Sequence, residues 1–487
     1  MIRTSKKFIA ILLTLAMIFT LAACGKDKTT DTGNDTKATP TEAAPTEVPV
    51  VDNYEAFDFG ERTIKVGVWW DYFYTSVHTD INEDPLLTNT ETAQMKLDNV
   101  RRIEEKYNCR IEFVNLGWDG IMSSINTSVT AGTPECDIYE TDLQFGIPAV
   151  LNGLAQDITT FASENSDLYG DQKIIKFLKA EGKEILGKGE YFFTEQGPAQ
   201  TGIFLGYNAT MINDLGLEDP QALYNKGEWT WEKFAEYAKA GTKDVDNDGT
   251  TDIYGFGGVF TDLVNGLVLN NGGSIVQGDM EGLSSTPVVE SFEFINQLYN
   301  TDKSARPWNG NDWNDNMLAW SDGKVMFWSA QAWLLKQEID AARAEGAELP
   351  FEFHVVPYPT GPSGDGVPTS PTIGNWYIIP VGVQEPGKVL QIYEEFLNWH
   401  GGDSEYRDDP TWFESCFTTM EDVDIAYKCC ANLKMDTWGS YAGFFDFGGA
   451  IWWPIVVRYD TTVAQAVEAA KPVLQGTLDY FKEKRNK

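Results

Sequence analysis

Residues 63–69 read TIKVGVW and are followed at once by Trp70 and Asp71. A short β-branched run of this kind predicts a strand. Residues 92–107 carry apolar side chains near helical spacing with charges between them, which predicts an amphipathic helix. Residues 110–116 (RIEFVNL) alternate and predict a second strand, closed by Gly117, Trp118 and Asp119. Residues 121–131 predict another helix, and residues 137–139 open a third strand that runs into Glu140, Thr141 and Asp142. Strand, helix, strand, helix, strand specifies a parallel sheet with helices on its faces, so the expected fold class is α/β.

In such a sheet ligands bind beyond the carboxyl ends of the strands. Here those ends carry Trp69, Trp70, Asp71, Trp118, Glu140 and Asp142. Indole rings stack on the apolar faces of pyranoses, and carboxylates accept bonds from hydroxyls, which is the chemistry of a polyol site. A single Trp near a strand end is more often core, and a single Asp after a strand is often a helix cap. Three strand ends with the same chemistry favour a site.

Toward the N-terminus, Arg3, Lys6 and Lys7 precede an uncharged run over residues 8–23, and Leu21-Ala22-Ala23-Cys24-Gly25 ends it. A basic start, an apolar stretch and small residues make a secretory signal. A plain membrane anchor is the alternative, but the run is short for a span and no second apolar segment comes after it. Leu-Ala-Ala-Cys resembles the lipobox of bacterial lipoproteins. That resemblance implies loss of residues 1–23, a diacylglyceryl thioether on Cys24 with palmitate-type acyl chains, and a protein tethered at the extracytoplasmic face of the bacterial cell membrane. Residues 24–60 then form the lipidated Cys and a spacer. As far as residue 52 it is rich in Thr, Pro and Ala and holds no aromatic residue, a composition too poor in apolar surface to fold.

The chain of 487 residues is 42% hydrophobic and 13% aromatic, and the body beyond the spacer is too long for one simple core, so two lobes are expected. A formal net charge of −36 argues against nucleic acid and disfavours strongly anionic ligands. Apart from Cys24, the cysteines are Cys109, Cys136, Cys416, Cys429 and Cys430, an odd set that is not a disulfide framework. One bridge fits the count, while the adjacent Cys429 and Cys430 read as small buried side chains.

Asp244, Asp246, Asp248 and Asp252 stand at positions one, three, five and nine of a loop, with Gly249 at six and the Thr250 carbonyl at seven. That is the oxygen-ligand order of a structural calcium loop, although Gly255 replaces the Glu expected at twelve. Clustered carboxylates repel unless a cation lies among them, and the competing reading is an Asp-Gly surface turn. The three histidines, His78, His354 and His400, are widely spaced, and no H-E-x-x-H, G-x-S-x-G or G-x-x-x-x-G-K-[ST] occurs. Zinc, serine-hydrolase and nucleotide chemistries therefore have no seat. A pair of distant carboxylates suffices for glycoside hydrolysis, so a lipid-anchored glycosidase or lyase is the alternative, and an adhesin displaying its Trp residues is a third.

Several passages together resemble the extracellular solute-binding proteins of ABC importers, in the sugar-binding group with a maltose-binding-protein-like fold. They are residues 63–70, 137–159 (DIYETDLQFGIPAVLNGLAQDIT), 202–217 (GIFLGYNATMINDLGL), 228–240 (EWTWEKFAEYAKA), 321–334 (SDGKVMFWSAQAWL), 353–364 (FHVVPYPTGPSG) and 375–380 followed by Asn398. The chain departs from the pattern at Val325-Met326, where Ala-Met is usual, and at Gln331 and Ala332, near the usual Gly. The resemblance implies the type II periplasmic-binding-protein-like fold, with discontinuous lobes joined by a hinge. Lobe 1 would span 61–195 plus 372–402 and lobe 2 196–371, with crossings near 191–198 and 369–374. Residues 403–487 would pack across lobe 2 and the hinge, closing on a helix over 461–484. It places Trp333 where the family's tryptophan stacks on sugar, with Trp328, Asn375 and Trp376 nearby and Tyr207 beside a structural Asn208. Trp229, Trp231, Trp452 and Trp453 read as core, with Thr230 as a helix cap. The implied protein is a monomeric, non-enzymatic receptor that delivers a carbohydrate, an oligosaccharide, to a membrane permease. Peptide cargo would want a cationic clamp, and no Arg stands among the strand-end residues.

Overall fold

The computed structural model describes residues 54–87, 89–163, 166, 179–180, 183–184, 189–194, 202–307, 313–344, 350–372, 376–435 and 443–485. The signal, Cys24, the spacer as far as residue 53 and Asn375 lie outside the described residues. Residues 54–60, expected to belong to the spacer, instead pack on the first lobe: Phe59 is in its core and the buried Tyr54 donates to Glu394 Oε2 at 2.6 Å, because their aromatic side chains gain by burial.

The first lobe begins with β1 (Arg62–Val68), α1 (Thr90–Tyr107), β2 (Cys109–Asn115), α2 (Trp118–Ser124), β3 (Ile138–Thr141) and α3 (Leu143–Leu151). β1 pairs in parallel with β2 from Arg62 opposite Cys109 to Val68 opposite Asn115, and with β3 on its other side. The Asn89 side chain starts α1 by accepting the Glu91 and Thr92 N–H groups, and Asn108, left-handed at φ 47°, stops it. Gly117 has φ 68°, a conformation open to glycine, and this turn delivers Trp118 as the first residue of α2.

The second lobe comprises β4 (Ile203–Asn208), α4 (Trp231–Gly241), β5 (Tyr254–Gly257), α5 (Phe260–Asn270), β6 (Val325–Gln331), α6 (Ala332–Ala344) and β7 (Phe353–Val356), in the sheet order β7-β4-β6-β5. β4 and β6 are antiparallel inner strands, and every residue of both is buried. Strands covered on both faces read as continuous apolar runs, as these do.

The chain then returns. β8 (Ser370–Thr372) leads to β9 (Trp376–Ile378), which pairs antiparallel with β3 and completes a first sheet of order β9-β3-β1-β2. The first lobe is thus built from two separate stretches of chain. α7 (Pro386–Leu397) packs on α1, where Glu395 accepts bonds from Arg102 (2.6 Å), Lys106 (2.7 Å) and the Tyr107 hydroxyl. Beyond it lie α8 (Met420–Ala431), β10 (Leu433–Met435), parallel to β8, and α9 (Val463–Arg485). α8 lies on the second lobe through Asp422, which accepts bonds from the Val355 N–H (2.9 Å) and the Gln221 amide (2.8 Å). Gly443 abuts Pro148 on α3, while Phe447 packs on Phe292 of the second lobe at 5.9 Å, so this segment also spans the lobes.

Trp229, Trp231 and Trp452 are buried in the core. Trp453 is half-buried against it. Thr230 stands at the N-cap of α4, but its side chain makes no capping bond, and the Thr360 carbonyl accepts from the Trp231 N–H at 3.2 Å. Cys109, Cys136, Cys416, Cys429 and Cys430 are all buried free thiols, and burial pushes Cys109 and Cys416 up to about 12.

Candidate ligand site

The carboxyl ends of β1, β2 and β3 lie side by side, so the residues just beyond them form one surface. Trp69 meets Trp118 edge-on at 5.0 Å, and Trp118 meets Phe145 at 4.7 Å, giving a continuous aromatic row. Trp118 is 42% exposed and presents its ring outward. The Trp70 indole N–H donates to Glu140 Oε2 at 3.2 Å, which orients both groups. The exposed Asp71 carboxylate accepts from the Asn115 amide at 2.8 Å.

Three of the expected first-lobe residues are turned to structural work. The Glu140 carboxylate is buried behind Trp70, at 2% exposure. Asp142 caps α3 by accepting the Gln144 N–H at 2.8 Å, and burial raises its pKa against that bond. Trp376 is buried where β9 pairs with Thr141 of β3.

In the second lobe, Trp333 follows β6 and is 45% exposed. Its indole N–H donates to Gln331 Oε1 at 2.6 Å, and the Gln331 amide donates to Asp262 Oδ2 at 2.9 Å. Burial pushes the Asp262 carboxyl up to about 6 against the Gln331 bond. The chain of bonds anchors an exposed ring to a buried acid. Tyr207 and Trp328, expected near the ligand, are corrected to core. They lie on β4 and β6, whose two faces are both covered. Tyr207 donates to Asp219 Oδ2 at 2.9 Å, and Trp328 stacks on Trp320 at 5.2 Å. Asn208 caps the helix Ala209–Asp214.

The two surfaces adjoin one crossing of the chain. Gln331 pairs with Ile203, whose N–H donates to Ser370 Oγ at 2.7 Å. A few residues further on, Trp376 pairs with Thr141 of β3. Trp333, two residues after Gln331, therefore stands close to this crossing, and Phe145, which meets Trp118, follows Thr141 by four positions. Beside Trp70 and Asp71 a cavity of about 650 Å³ opens between the segment after β1, the first turns of α1, and residues 399–412. No local pattern pointed to this cavity, to Phe145 or to Gln331, because their partners lie far away along the chain.

Elsewhere, the carboxylates of Asp244, Asp246 and Asp252 lie within 4.8 Å of one another on an exposed loop. Asp244 accepts from the Gly249 N–H at 2.8 Å, and Asp252 from the Val245 N–H at 2.7 Å. Asp248 is outside this trio and accepts from the Thr250 N–H at 2.7 Å. All-oxygen donors of this kind suit calcium rather than a thiophilic metal.

The family model described as bacterial extracellular solute-binding protein matches residues 87–404. No curated protein sequence matches the chain. The fold is similar to the GacH receptor of Streptomyces glaucescens, solved unliganded and with acarbose, at TM-score 0.60 and 14% identity over 86% of this chain and 99% of that one. It is also similar to an ABC transporter solute-binding protein from Thermotoga lettingae bound with alpha-D-tagatose (TM-score 0.58, 16% identity, 86% and 99% covered). A third likeness is an ABC substrate-binding protein from Listeria monocytogenes in complex with cycloalternan (TM-score 0.57, 15% identity, 88% and 99% covered). The two-lobed α/β architecture is that of the type II periplasmic binding proteins. With a family model that covers 87–404, including the whole second sheet and every strand of the first but β1, the chain belongs to the bacterial extracellular solute-binding proteins.

Proposed function

We propose that this chain is the lipid-anchored receptor of an ABC importer, capturing a carbohydrate, an oligosaccharide, between its lobes and handing it to the membrane permease. The observation that supports the reading is a pair of exposed rings, Trp118 and Trp333, one on each lobe, with acceptor groups next to them. Rings on two lobes can stack on one sugar only when the lobes close, so binding energy goes into closure. Acarbose, alpha-D-tagatose and cycloalternan in the three related structures agree with carbohydrate cargo. The tether is Cys24; among the described residues no helix is long and apolar enough to cross a membrane.

The test is calorimetry of the purified chain against neutral oligosaccharides, with peptides as controls and analysis of the recovered sugar. One-to-one binding with the sugar recovered whole supports the receptor. Shortened sugar makes the chain a glycosidase or lyase, and binding of peptides alone overturns the carbohydrate reading.

We also assign calcium to the loop of Asp244, Asp246 and Asp252, where it would brace the connection from α4 to β5. An ion at a hundred times its Kd adds roughly 2.7 kcal/mol to the folded state. Chelation should lower the Tm, calcium should restore it, and Asp246→Asn should remove the response. A Tm indifferent to chelator leaves the loop a surface turn.

A further inference from the structure

The cavity beside Trp70 reaches away from the row formed by Trp69, Trp118 and Phe145. Its floor is made where residues after β1 fold back along the edge of the first sheet. Tyr72 stacks on Phe113 of β2 at 4.2 Å, and Ser76 exchanges bonds with the Ile111 backbone. The opposite wall is the segment that leaves α7 for the second lobe, and Phe413 at its end is buried in that lobe's core.

Trp399 and Trp412 line that wall, facing Tyr72 and Tyr74 of the floor segment. Tyr74 is fixed by donating to Asp84 Oδ2 at 2.8 Å. The Lys96 ammonium lies 4.9 Å from the Trp399 ring and 5.4 Å from the Tyr74 ring, and among the described residues it has no carboxylate partner. Trp412 is 39% exposed, and its indole N–H has no acceptor among the described residues. Glu83, also in the lining, has a side chain with no partner among them. The cavity thus offers aromatic faces, unused donors and unused acceptors together.

That mixture selects a class of occupant. Asp71, Glu83, Asp84 and Asp409 outnumber Lys96 and Arg407, and the Arg407 guanidinium is already paired with Asp408. A polyanion is therefore disfavoured. An apolar ligand would leave the Glu83 carboxylate and the Lys96 ammonium without bonds. A neutral glycan presents ring faces and hydroxyls that both donate and accept, which answers the whole lining. The volume is in the range of small-molecule sites, about 300–1,000 Å³. Trp70 and Asp71 belong at once to the cavity and to the strand-end surface, so the two are continuous.

We infer that the cavity is an extension subsite: sugar units beyond those held between Trp118 and Trp333 run past Trp70 into it. The chain accordingly selects longer neutral oligosaccharides over mono- and disaccharides. This rests on the reading of the chain as a carbohydrate receptor.

The experiment uses the full-length chain and ladders of neutral oligosaccharides, dimer to hexamer, of α-1,4-glucan, β-1,4-glucan, β-1,4-xylan and β-1,4-mannan. Affinity is measured by calorimetry for the native chain and for Trp412→Ala and Trp412→Phe, with Tm as the check on folding. The native chain should gain affinity along one ladder. Trp412→Ala should lower affinity for the longest members by about tenfold while leaving the shortest that bind unchanged, and Trp412→Phe should restore most of it. Equal affinity for short and long members, or a Trp412→Ala loss that is the same at every length, overturns the subsite and leaves the receptor reading standing. If no member of any ladder binds, both readings fall together. Should Trp412→Ala not fold, the length dependence of the native chain decides the question.

Discussion

Trp333→Ala should weaken carbohydrate binding by about thirtyfold, some 2 kcal/mol, with only a small change in thermal stability. The ring is 45% exposed, so little core is lost with it. On the proposed reading, what disappears is the second lobe's stacking platform, the contact that only a closed complex makes. The substitution also leaves the largely buried Gln331 Oε1 without its donor, a loss of about 1 kcal/mol that water entering at the exposed edge partly replaces. Calorimetry gives the affinity and a thermal melt gives the stability. A marked fall in Tm with unchanged affinity would return Trp333 to a packing role and move the second-lobe platform elsewhere.

Asp422→Ala should destabilise the fold strongly, by about 3–5 kcal/mol. The carboxylate is fully buried and accepts bonds from several sides. These come from the Val355 N–H (2.9 Å), the Gln221 amide (2.8 Å), His354 Nδ1 (3.0 Å), and the hydroxyls of Thr419 (2.7 Å) and Thr418 (3.2 Å) with the Thr419 N–H (3.2 Å). It joins α8, β7 and the helix Pro220–Asn225, and it completes the capping box of α8. Its removal leaves the Val355 N–H, the Gln221 amide, His354 and the Thr419 hydroxyl without this acceptor. Burial alone would raise the Asp422 pKa, but the bonds from His354, Thr419 and Val355 lower it. Burial likewise opposes the charged form of His354, and the bond and charge of Asp422 outweigh it and raise the pKa. A raised histidine contributes stability that is fully present below its unfolded pKa and is lost as pH rises through the folded one. A lowered carboxylate contributes above its unfolded pKa and loses that as pH falls. The pair is therefore strongest from mildly acid pH up to the His354 transition. The gap between native and variant chains in urea unfolding should be wider at about pH 5.5 than at about pH 8.5. An equal gap at both would mean that His354 carries no charge in the fold.

Much of the first lobe was legible because its strands and helices differ in period. Residues 63–69 and 110–116 alternate or run β-branched, residues 92–107 repeat at helical spacing, and the structure forms β1, β2 and α1 there. The helix expected over 461–484 is α9, for the same reason. That Trp69, Trp70, Asp71 and Trp118 stand at strand ends came from the strand order alone. The second lobe was harder to read. Its inner strands are apolar along their whole length, so nothing in the pattern separates a ring aimed at a cleft from one aimed at the core. Trp328 and Tyr207 were placed at the ligand by resemblance, and packing puts them inside.

By itself the sequence determined the α/β class, the two lobes and the aromatic and acidic chemistry of the first-lobe strand ends, because these rest on local periodicity and on residues adjacent to predicted strands. Only the tertiary structure decided which rings are exposed and what holds them. Trp333 is held by Gln331 and Asp262, 69 residues apart from each other in the chain. The cavity is closed by Trp399 and Trp412 against Tyr72 and Tyr74, side chains more than three hundred positions away. Contacts of that separation are set by how the second sheet, the hinge and α7 bring the chain back, and no local pattern encodes that return.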